Sequence, residues 1–149
     1  ANVCLGEDVD VQAALRLVQL DEEVAAMPQG EDTLVGAGGV RLSGGQQARL
    51  ALARTLARKR PLYVLDDPFS AVDKATEQAI MAGLRERAAD SVVVLISHRL
   101  MLFPELDQVI WVEDGHALTS THAGLMQDCP AYRAFYTKQT GEVAHDGEH

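Results

Sequence analysis

Residues 42–68 read LSGGQQARLALARTLARKRPLYVLDDP, and the character of the sequence changes along this stretch. A glycine-rich loop ends at Ser43, which can cap a helix that we expect to run to about Arg58, before Pro61 stops it. The apolar run after Pro61 predicts a buried strand, and two acidic residues close it. This order of loop, helix and strand predicts a protein of the α/β class.

Hydrophobic spacing predicts further elements on both sides of this stretch. We expect helices over residues 10–20, 21–26 and 74–88, strands within 61–68 and 91–98, a hairpin over 108–120 that turns at Asp114-Gly115, and a last helix over 130–139. The strand, helix, strand order in the middle predicts a parallel pair with a right-handed crossover.

Composition narrows the class of protein. The chain has 149 residues, of which 47% are hydrophobic, and its net charge of −9 disfavours non-specific binding to nucleic acid. A basic cluster is expected to form the solvated, C-terminal part of a helix; its members are Arg49, Arg54, Arg58, Lys59 and Arg60. The two cysteines, Cys4 and Cys129, have no metal-ligand spacing, which favours a reducing compartment. The apolar run VVVLI is too short to span a bilayer.

Polar residues follow both strands of the predicted parallel pair. Asp66 and Asp67 close the first strand, and Ser97 and His98 close the second. Ligands of open α/β sheets bind at the carboxyl ends of strands, so these side chains are candidates for one site. The acidic pair could bind Mg²⁺ and activate water, or it could merely cap a loop. His98 could act in the same site or be an ordinary core or surface histidine.

The glycines before the helix have more than one explanation. The free backbone N–H groups at a helix N-terminus, together with the helix dipole, favour an anion such as phosphate, and Gly44 and Gly45 would allow it to approach closely. A flexible linker followed by a serine-capped helix is the alternative. Gly39 and Gly44 have the spacing of a phosphate-binding P-loop, but Gly45 and Gln46 follow where that loop requires Lys and Ser or Thr.

Residues 42–46, LSGGQ, resemble the signature motif of ATP-binding cassette (ABC) ATPases, and we call them the signature segment. Further motifs of that family follow in its order. PLYVLDD (61–67) is similar to the Walker B strand, SAVD (70–73) to the D-loop, and the histidine of SHRL (97–100) to the switch histidine. TLVGAGGVR (33–41) looks like the segment that precedes the signature in exporters. The resemblance covers about residues 2–138.

The resemblance implies a role for each matching residue. In the family, the signature segment contacts a nucleotide held by another subunit, here through Leu42, Ser43, Gly44, Gly45 and Gln46. Asp66 matches the carboxylate that holds Mg²⁺ through water, Asp67 the general base, and His98 the histidine near the γ-phosphate. The D-loop, which crosses to the partner subunit, corresponds to Ser70, Ala71, Val72 and Asp73.

The resemblance also implies a fold. We expect an incomplete P-loop NTPase (RecA-like) core with mostly parallel strands, plus an α-helical subdomain that carries the signature segment. The expected division is a helical subdomain at 1–60, the C-terminal half of the ATPase core at 61–140, and a flexible acidic tail at 141–149. The Walker A loop, the Q-loop and the adenine-stacking aromatic residue of the family have no counterpart. We therefore expect this chain alone to be inactive, to bind MgATP weakly, and to self-associate through an uncovered apolar sheet face.

Two positions depart from the family pattern. Asp67 stands where Glu is usual, and Ala37 replaces an acidic residue before the signature segment. The combination of this shorter carboxylate with an intact signature resembles that of one subunit of a heterodimeric exporter. A homodimer with Asp at this position is the alternative. The implied function is an ATPase that uses ATP and Mg²⁺, pairs with a second nucleotide-binding subunit, and drives a membrane domain from the cytoplasmic face of the membrane. A soluble ABC ATPase of DNA repair or translation and a non-catalytic interaction module are the alternatives.

Overall fold

The computed structural model describes residues 3–6 and 8–145, which form two compact units that divide between Ser97 and His98. The expected subdomains 1–60 and 61–140 stay predictions. The last helix extends to His145, into the segment expected to be a flexible tail. Residues 146–149 of that expected tail lie outside the described residues.

The first unit contains four α-helices, a short 3₁₀ helix (Gly30–Asp32) and two strands among its described residues. The α-helices and strands are α1 (Val11–Leu17), α2 (Asp21–Ala25), α3 (Gly44–Leu56), β1 (Leu62–Asp66), α4 (Lys74–Arg87) and β2 (Val92–Ile96). The two strands are parallel, with α4 between them in the chain, and Leu62 lies opposite Val92. The predicted parallel strand pair is therefore confirmed.

One side of the strand pair is buried with the helices. Tyr63 and Leu65 alternate with exposed residues along β1 and are 2% and 4% exposed. The Tyr63 hydroxyl donates to the Arg58 carbonyl at 2.7 Å and accepts from the Arg60 N–H at 3.0 Å, which fixes the link between α3 and β1. The helices α1 and α4 meet at Gly83, where an added Cβ would lie 3.0 Å from a Leu17 methyl group.

The opposite side of the strand pair is an exposed apolar face. It consists of side chains that are 39–62% exposed: Leu62, Val64, Val92, Val94 and Ile96. Because side chains alternate along a strand, Asp66 ends the same row on β1. The apolar face expected from the sequence is thus present, and its side chains are exposed in the part of the chain that the structure describes.

The glycine-rich connection before α3 is a closed loop. The N–H of Gly36 donates to the Val40 carbonyl at 3.1 Å, and the N–H of Val40 donates to the Leu34 carbonyl at 2.8 Å. Gly36 and Gly38 have φ of 99° and 85°, which favours glycine at both positions. These backbone hydrogen bonds give residues 34–40 a defined turn before α3.

The second unit is a hairpin packed with helices. Its elements are a short 3₁₀ helix (Leu100–Glu105), β3 (Val109–Glu113), β4 (His116–Ser120), α5 (His122–Asp128) and α6 (Pro130–His145). The predicted hairpin is confirmed, since Asp114 and Gly115 have φ of 48° and 78° at its turn. Helix α5 was not expected. No helix within the described residues is long and apolar enough to cross a bilayer.

Aromatic side chains fill the centre of the second unit. Tyr132 is fully buried, and its hydroxyl lies 2.7 Å from His122 Nδ1. The Trp111 ring packs edge-on against Tyr132, with 5.4 Å between ring centroids. Leu100, Phe103, Val109, Leu125 and Cys129 complete the buried cluster. Trp111 is partly buried and packs against this cluster.

Candidate functional site

The signature segment forms the N-terminus of α3. Ser43 is extended (φ −65°, ψ 165°), and its hydroxyl accepts from the Gln46 N–H at 3.1 Å. The Gln46 side-chain oxygen accepts in return from the Ser43 N–H at 2.8 Å, which completes a capping box. The predicted N-cap is confirmed. The N–H groups of Gly44 and Gly45 occupy the first turn, where a helix offers no partner of its own and favours an anion.

The D-loop segment, residues 70–73, packs against the signature segment of the same chain. A Cβ added at Gly45 would lie 2.8 Å from the Ala71 carbonyl oxygen, which is too close for any side chain. A Cβ added at Gly44 would lie no nearer than 3.9 Å to Ala71. The two glycines therefore differ, because packing requires glycine at position 45, whereas a side chain at position 44 would meet Ala71 only in ordinary van der Waals contact.

The acidic pair lies at the carboxyl end of β1. Asp66 is exposed, and Asp67 is half-buried with φ of 42°. The left-handed backbone of Asp67 turns the chain away from the strand. Its N–H donates to the Ile96 carbonyl at 2.7 Å, and its carbonyl accepts from the Ser70 N–H at 3.3 Å. The turn thus places the start of the D-loop segment directly after the two carboxylates.

The acidic pair fits one kind of metal site. Mg²⁺ commonly takes one or two carboxylates and fills its remaining positions with water and substrate phosphate. Within the part of the chain that the structure describes, no group of three or more His, Cys, Asp or Glu could enclose a metal ion. Asp66, whose carboxylate is exposed at the strand end, suits Mg²⁺ held with phosphate and water.

Asp73 has a structural role in addition to its place in the D-loop segment. It is the N-cap of α4, and its carboxylate accepts from the Thr76 N–H at 3.0 Å and from the Thr76 hydroxyl at 2.7 Å. The bond from the Thr76 backbone, followed by that from its hydroxyl, lowers the pKa of Asp73 below its ordinary value. The spacing of Asp73 and Thr76 before a helical run is a capping signal that the motif match concealed.

His98 is the first residue of the second unit, and its side chain is exposed. Its carbonyl accepts from the Gln139 side-chain nitrogen at 2.8 Å, and the Gln139 oxygen accepts from the Leu100 N–H at 3.3 Å. Gln139 of α6 therefore fixes the backbone on both sides of Arg99. That His98 acts together with the acidic pair stays a prediction.

The basic cluster is not the solvated face expected from the sequence. The Arg49 side chain is 13% exposed and forms a 2.6 Å salt bridge with Glu23 of α2. Arg58 is half-buried and donates to the Cys4 carbonyl. Only Lys59 and Arg60 of the cluster are exposed. The prediction was wrong for Arg49 and Arg58, because carbonyl and carboxylate oxygens from residues distant in the sequence bind their guanidinium groups.

Comparison with known proteins identifies the family. A family model described as ABC transporter matches residues 6–70. The chain is 39% identical over 134 residues to an ATP-dependent lipid A-core flippase of Photobacterium profundum, covering 89% of this chain. It is 40% identical over 128 residues, or 85% of its length, to an ABC transporter ATP-binding protein of Mycobacterium bovis. The chain belongs to the ABC transporter family.

A solved ABC exporter has the same fold. A bacterial Atm1-family ABC exporter with ATP bound matches 93% of this ABC chain, with a TM-score of 0.84 and 31% sequence identity. The predicted α/β fold of an incomplete P-loop NTPase and the resemblance to exporters are thereby confirmed. The chain spans 25% of that exporter, and it spans 23% and 22% of the flippase and the mycobacterial protein. The roles of individual residues stay predictions.

Proposed function

We propose that this chain is the C-terminal part of an ABC exporter's nucleotide-binding domain, and that it supplies half of an ATP site. The observation that carries the proposal is the first turn of α3. Its glycine N–H groups face no helical partner, and the D-loop segment of the same chain packs beside them. A nucleotide held by the Walker A loop of a second subunit would place its phosphates against this turn.

Each part of the half-site then has a distinct task. Ser43, Gly44 and Gly45 bind phosphate in trans through a hydroxyl and two backbone N–H groups, beside Leu42 and Gln46 in the signature segment. Asp66 holds Mg²⁺ through water, and Asp67 orients the water that attacks the γ-phosphate. His98 contacts that phosphate, and the D-loop segment (Ser70, Ala71, Val72 and Asp73) reaches the partner subunit. Positioning and charge stabilisation of this kind carry phosphoryl transfer.

The proposed partners complement the residues of this half-site. A second nucleotide-binding subunit supplies the Walker A loop, and a transmembrane domain transmits ATP-driven closure at the cytoplasmic face of the membrane. This chain alone is expected to hydrolyse no ATP. Isothermal titration of the chain with MgATP should show very weak binding, and micromolar affinity would overturn the half-site proposal.

A matched pair of substitutions tests the signature segment in the full-length protein. Ser43→Asp and Ser43→Asn both keep an N-cap residue, because Asp and Asn cap helices as well as Ser does. Only the aspartate places a negative charge where the phosphate would bind. We expect Ser43→Asp to lower ATP turnover on the order of a hundredfold, as loss of electrostatic stabilisation does, with a smaller loss for Ser43→Asn. Equal turnover in the two variants would contradict phosphate binding at this turn.

The carboxylate at position 67 bears on whether the site is fully competent. Asp is shorter than Glu by one methylene, and a base misplaced by about 1 Å can cost on the order of a hundredfold in rate. We propose that Asp67 makes this subunit's own site the weaker one of a heterodimer. Asp67→Glu in the full-length transporter should raise turnover at that site, and an unchanged or lower rate would refute this assignment.

The exposed apolar face of β1 and β2 leads to an expectation for the chain in isolation. Five apolar side chains that are 39–62% exposed form an apolar patch on a two-stranded sheet, and burying such a patch against a second copy would favour association. We expect concentration-dependent self-association in light scattering. Val64→Lys, which places a charge in the middle of this face, should reduce it. A monomeric chain at high concentration would argue against this expectation.

A further inference from the structure

The side chain of Gln46 is bound at both ends within the chain. Its oxygen accepts from the Ser43 N–H at 2.8 Å, and its nitrogen donates to Glu23 Oε2 at 2.7 Å. The two partners fix the orientation of the amide, since an N–H requires the oxygen and a carboxylate requires the nitrogen. Gln46 therefore connects the N-cap of α3 to a carboxylate on α2.

Arg49, one turn further along α3, reaches the same carboxylate. Its guanidinium donates to Glu23 Oε1 at 2.6 Å and also to the Gln19 carbonyl. Gln19 lies between α1 and α2 and has φ of 54°. Residues three apart share a helix face, so Gln46 and Arg49 both donate to Glu23 from the same side of α3.

Glu23 thus connects two donors of the signature helix. Burial of its carboxylate opposes ionisation, but the hydrogen bonds from Gln46 and Arg49 outweigh that effect and lower the pKa of Glu23. The carboxylate is ionised at neutral pH, where charge-assisted bonds are the stronger kind. The Arg49 end of the pair is 13% exposed and the Glu23 end 41% exposed, so solvent screens it only in part.

We propose that Glu23 is a positioning residue for the signature segment. By holding Gln46 and Arg49 together, it sets the direction in which the N–H groups of Gly44 and Gly45 point relative to α1 and α2. This role rests on the proposed function only where ATP turnover is concerned. The ordering of the α3 N-terminus by Glu23 is a property of the chain itself.

Three variants of the full-length protein separate the possible outcomes. Glu23→Ala removes both bonds, and Glu23→Gln keeps an oxygen for Gln46 while it removes the charge that faces Arg49. Glu22→Ala is the matched control, because Glu22 is an exposed acid in the same first turn of α2 and makes no side-chain hydrogen bond to a described residue.

The first measurement is hydrogen exchange without nucleotide. Loss of the two bonds should speed exchange of the amides of residues 46–49 about fivefold in Glu23→Ala, and less in Glu23→Gln. Glu22→Ala should leave these amides unchanged. Equal exchange in Glu23→Ala and Glu22→Ala would overturn the proposal, whether or not the protein hydrolyses ATP.

The second measurement is ATP turnover, at a temperature well below unfolding. Because the partner subunit holds the nucleotide, misdirection of the signature segment should lower kcat about fivefold in Glu23→Ala and change KM less than twofold, with partial recovery in Glu23→Gln. An unchanged kcat would overturn the positioning role. Absence of turnover in the unmodified protein would instead refute the proposed function and leave the exchange result to decide on Glu23.

Discussion

The two glycines of the signature segment offer the sharpest test of the structure. Gly44 and Gly45 occupy successive positions in the first turn of α3, and neither has a left-handed backbone. Alanine is the better helix former by up to about 1 kcal/mol. Helix propensity alone therefore predicts that Gly44→Ala and Gly45→Ala both stabilise the chain.

Contacts with the D-loop segment reverse this expectation at one position only. A Cβ at Gly45 would lie 2.8 Å from the Ala71 carbonyl oxygen, a backbone atom that cannot rotate away. Overpacking of this kind costs about 1–3 kcal/mol. A Cβ at Gly44 would come no closer than 3.9 Å to Ala71 and costs nothing. We expect the two variants to differ by about 1–3 kcal/mol in the free energy of unfolding, with Gly44→Ala the more stable.

Thermal unfolding of the chain at low concentration, followed by circular dichroism, measures this difference. In a domain of this size, 1 kcal/mol corresponds to about 2–4 °C in Tm, so a difference of about 1–3 kcal/mol should separate the two Tm values by about 2–12 °C. Equal Tm values, or a higher Tm for Gly45→Ala, would refute the packing argument. In the full-length protein, Gly44→Ala should still lower ATP turnover, because its methyl group narrows the approach to the first-turn N–H groups.

Three further outcomes are expected. Ser43→Ala removes the acceptor for the Gln46 N–H and should cost about 1 kcal/mol in urea unfolding, whereas Ser43→Asp should not. The pKa of Asp73 is lowered, so its contribution to stability is complete above the ordinary pKa of 3.8 and is lost as the pH falls further. The stability of Asp73→Ala should therefore depend less on pH in the acid range. Burial raises the pKa of Tyr132 from 10.0 to about 12, so stability should fall as pH rises through that range, and Tyr132→Phe should remove this part of the fall.

Each of these outcomes has a clear opposite. Identical unfolding of Ser43→Ala and Ser43→Asp would mean that the capping box adds nothing. If Asp73→Ala lost stability at low pH to the same extent as the unmodified chain, the carboxylates responsible for that loss would lie elsewhere. Ionisation of Tyr132 near pH 10, seen in the ultraviolet spectrum, would contradict its burial.

Local patterns were sufficient for much of the fold. The parallel pair follows from two short apolar runs with a helical pattern between them, and the hairpin follows from Asp114-Gly115, where both φ values are positive. The N-cap at Ser43 was equally visible, since the residue separates a glycine-rich loop from a run of good helix formers. In each case the signal lies within a few residues of the structure that it specifies.

Features that depend on distant residues escaped prediction. The bond between Arg49 and Glu23 spans 26 positions in the sequence, and no local pattern distinguishes it from two solvated charges. The approach of Gly45 to Ala71 depends on the path of the turn after β1. Helix α5 has only 7 residues and contains Gly124, so its periodicity is too short to recognise. Motif matching located the candidate site but gave no account of what holds it in place.

The aromatic centre of the second unit contains an intrinsic fluorescence probe. Trp111 is the only tryptophan in the sequence, and it lies against Tyr132 and Phe135, with its indole N–H donating to Glu113 at 3.3 Å. Intrinsic fluorescence thus reports on the unit that begins at His98, whereas circular dichroism averages the helices of both units. Comparing the two signals during denaturation would show, without any label, whether the halves of this chain melt together or in sequence.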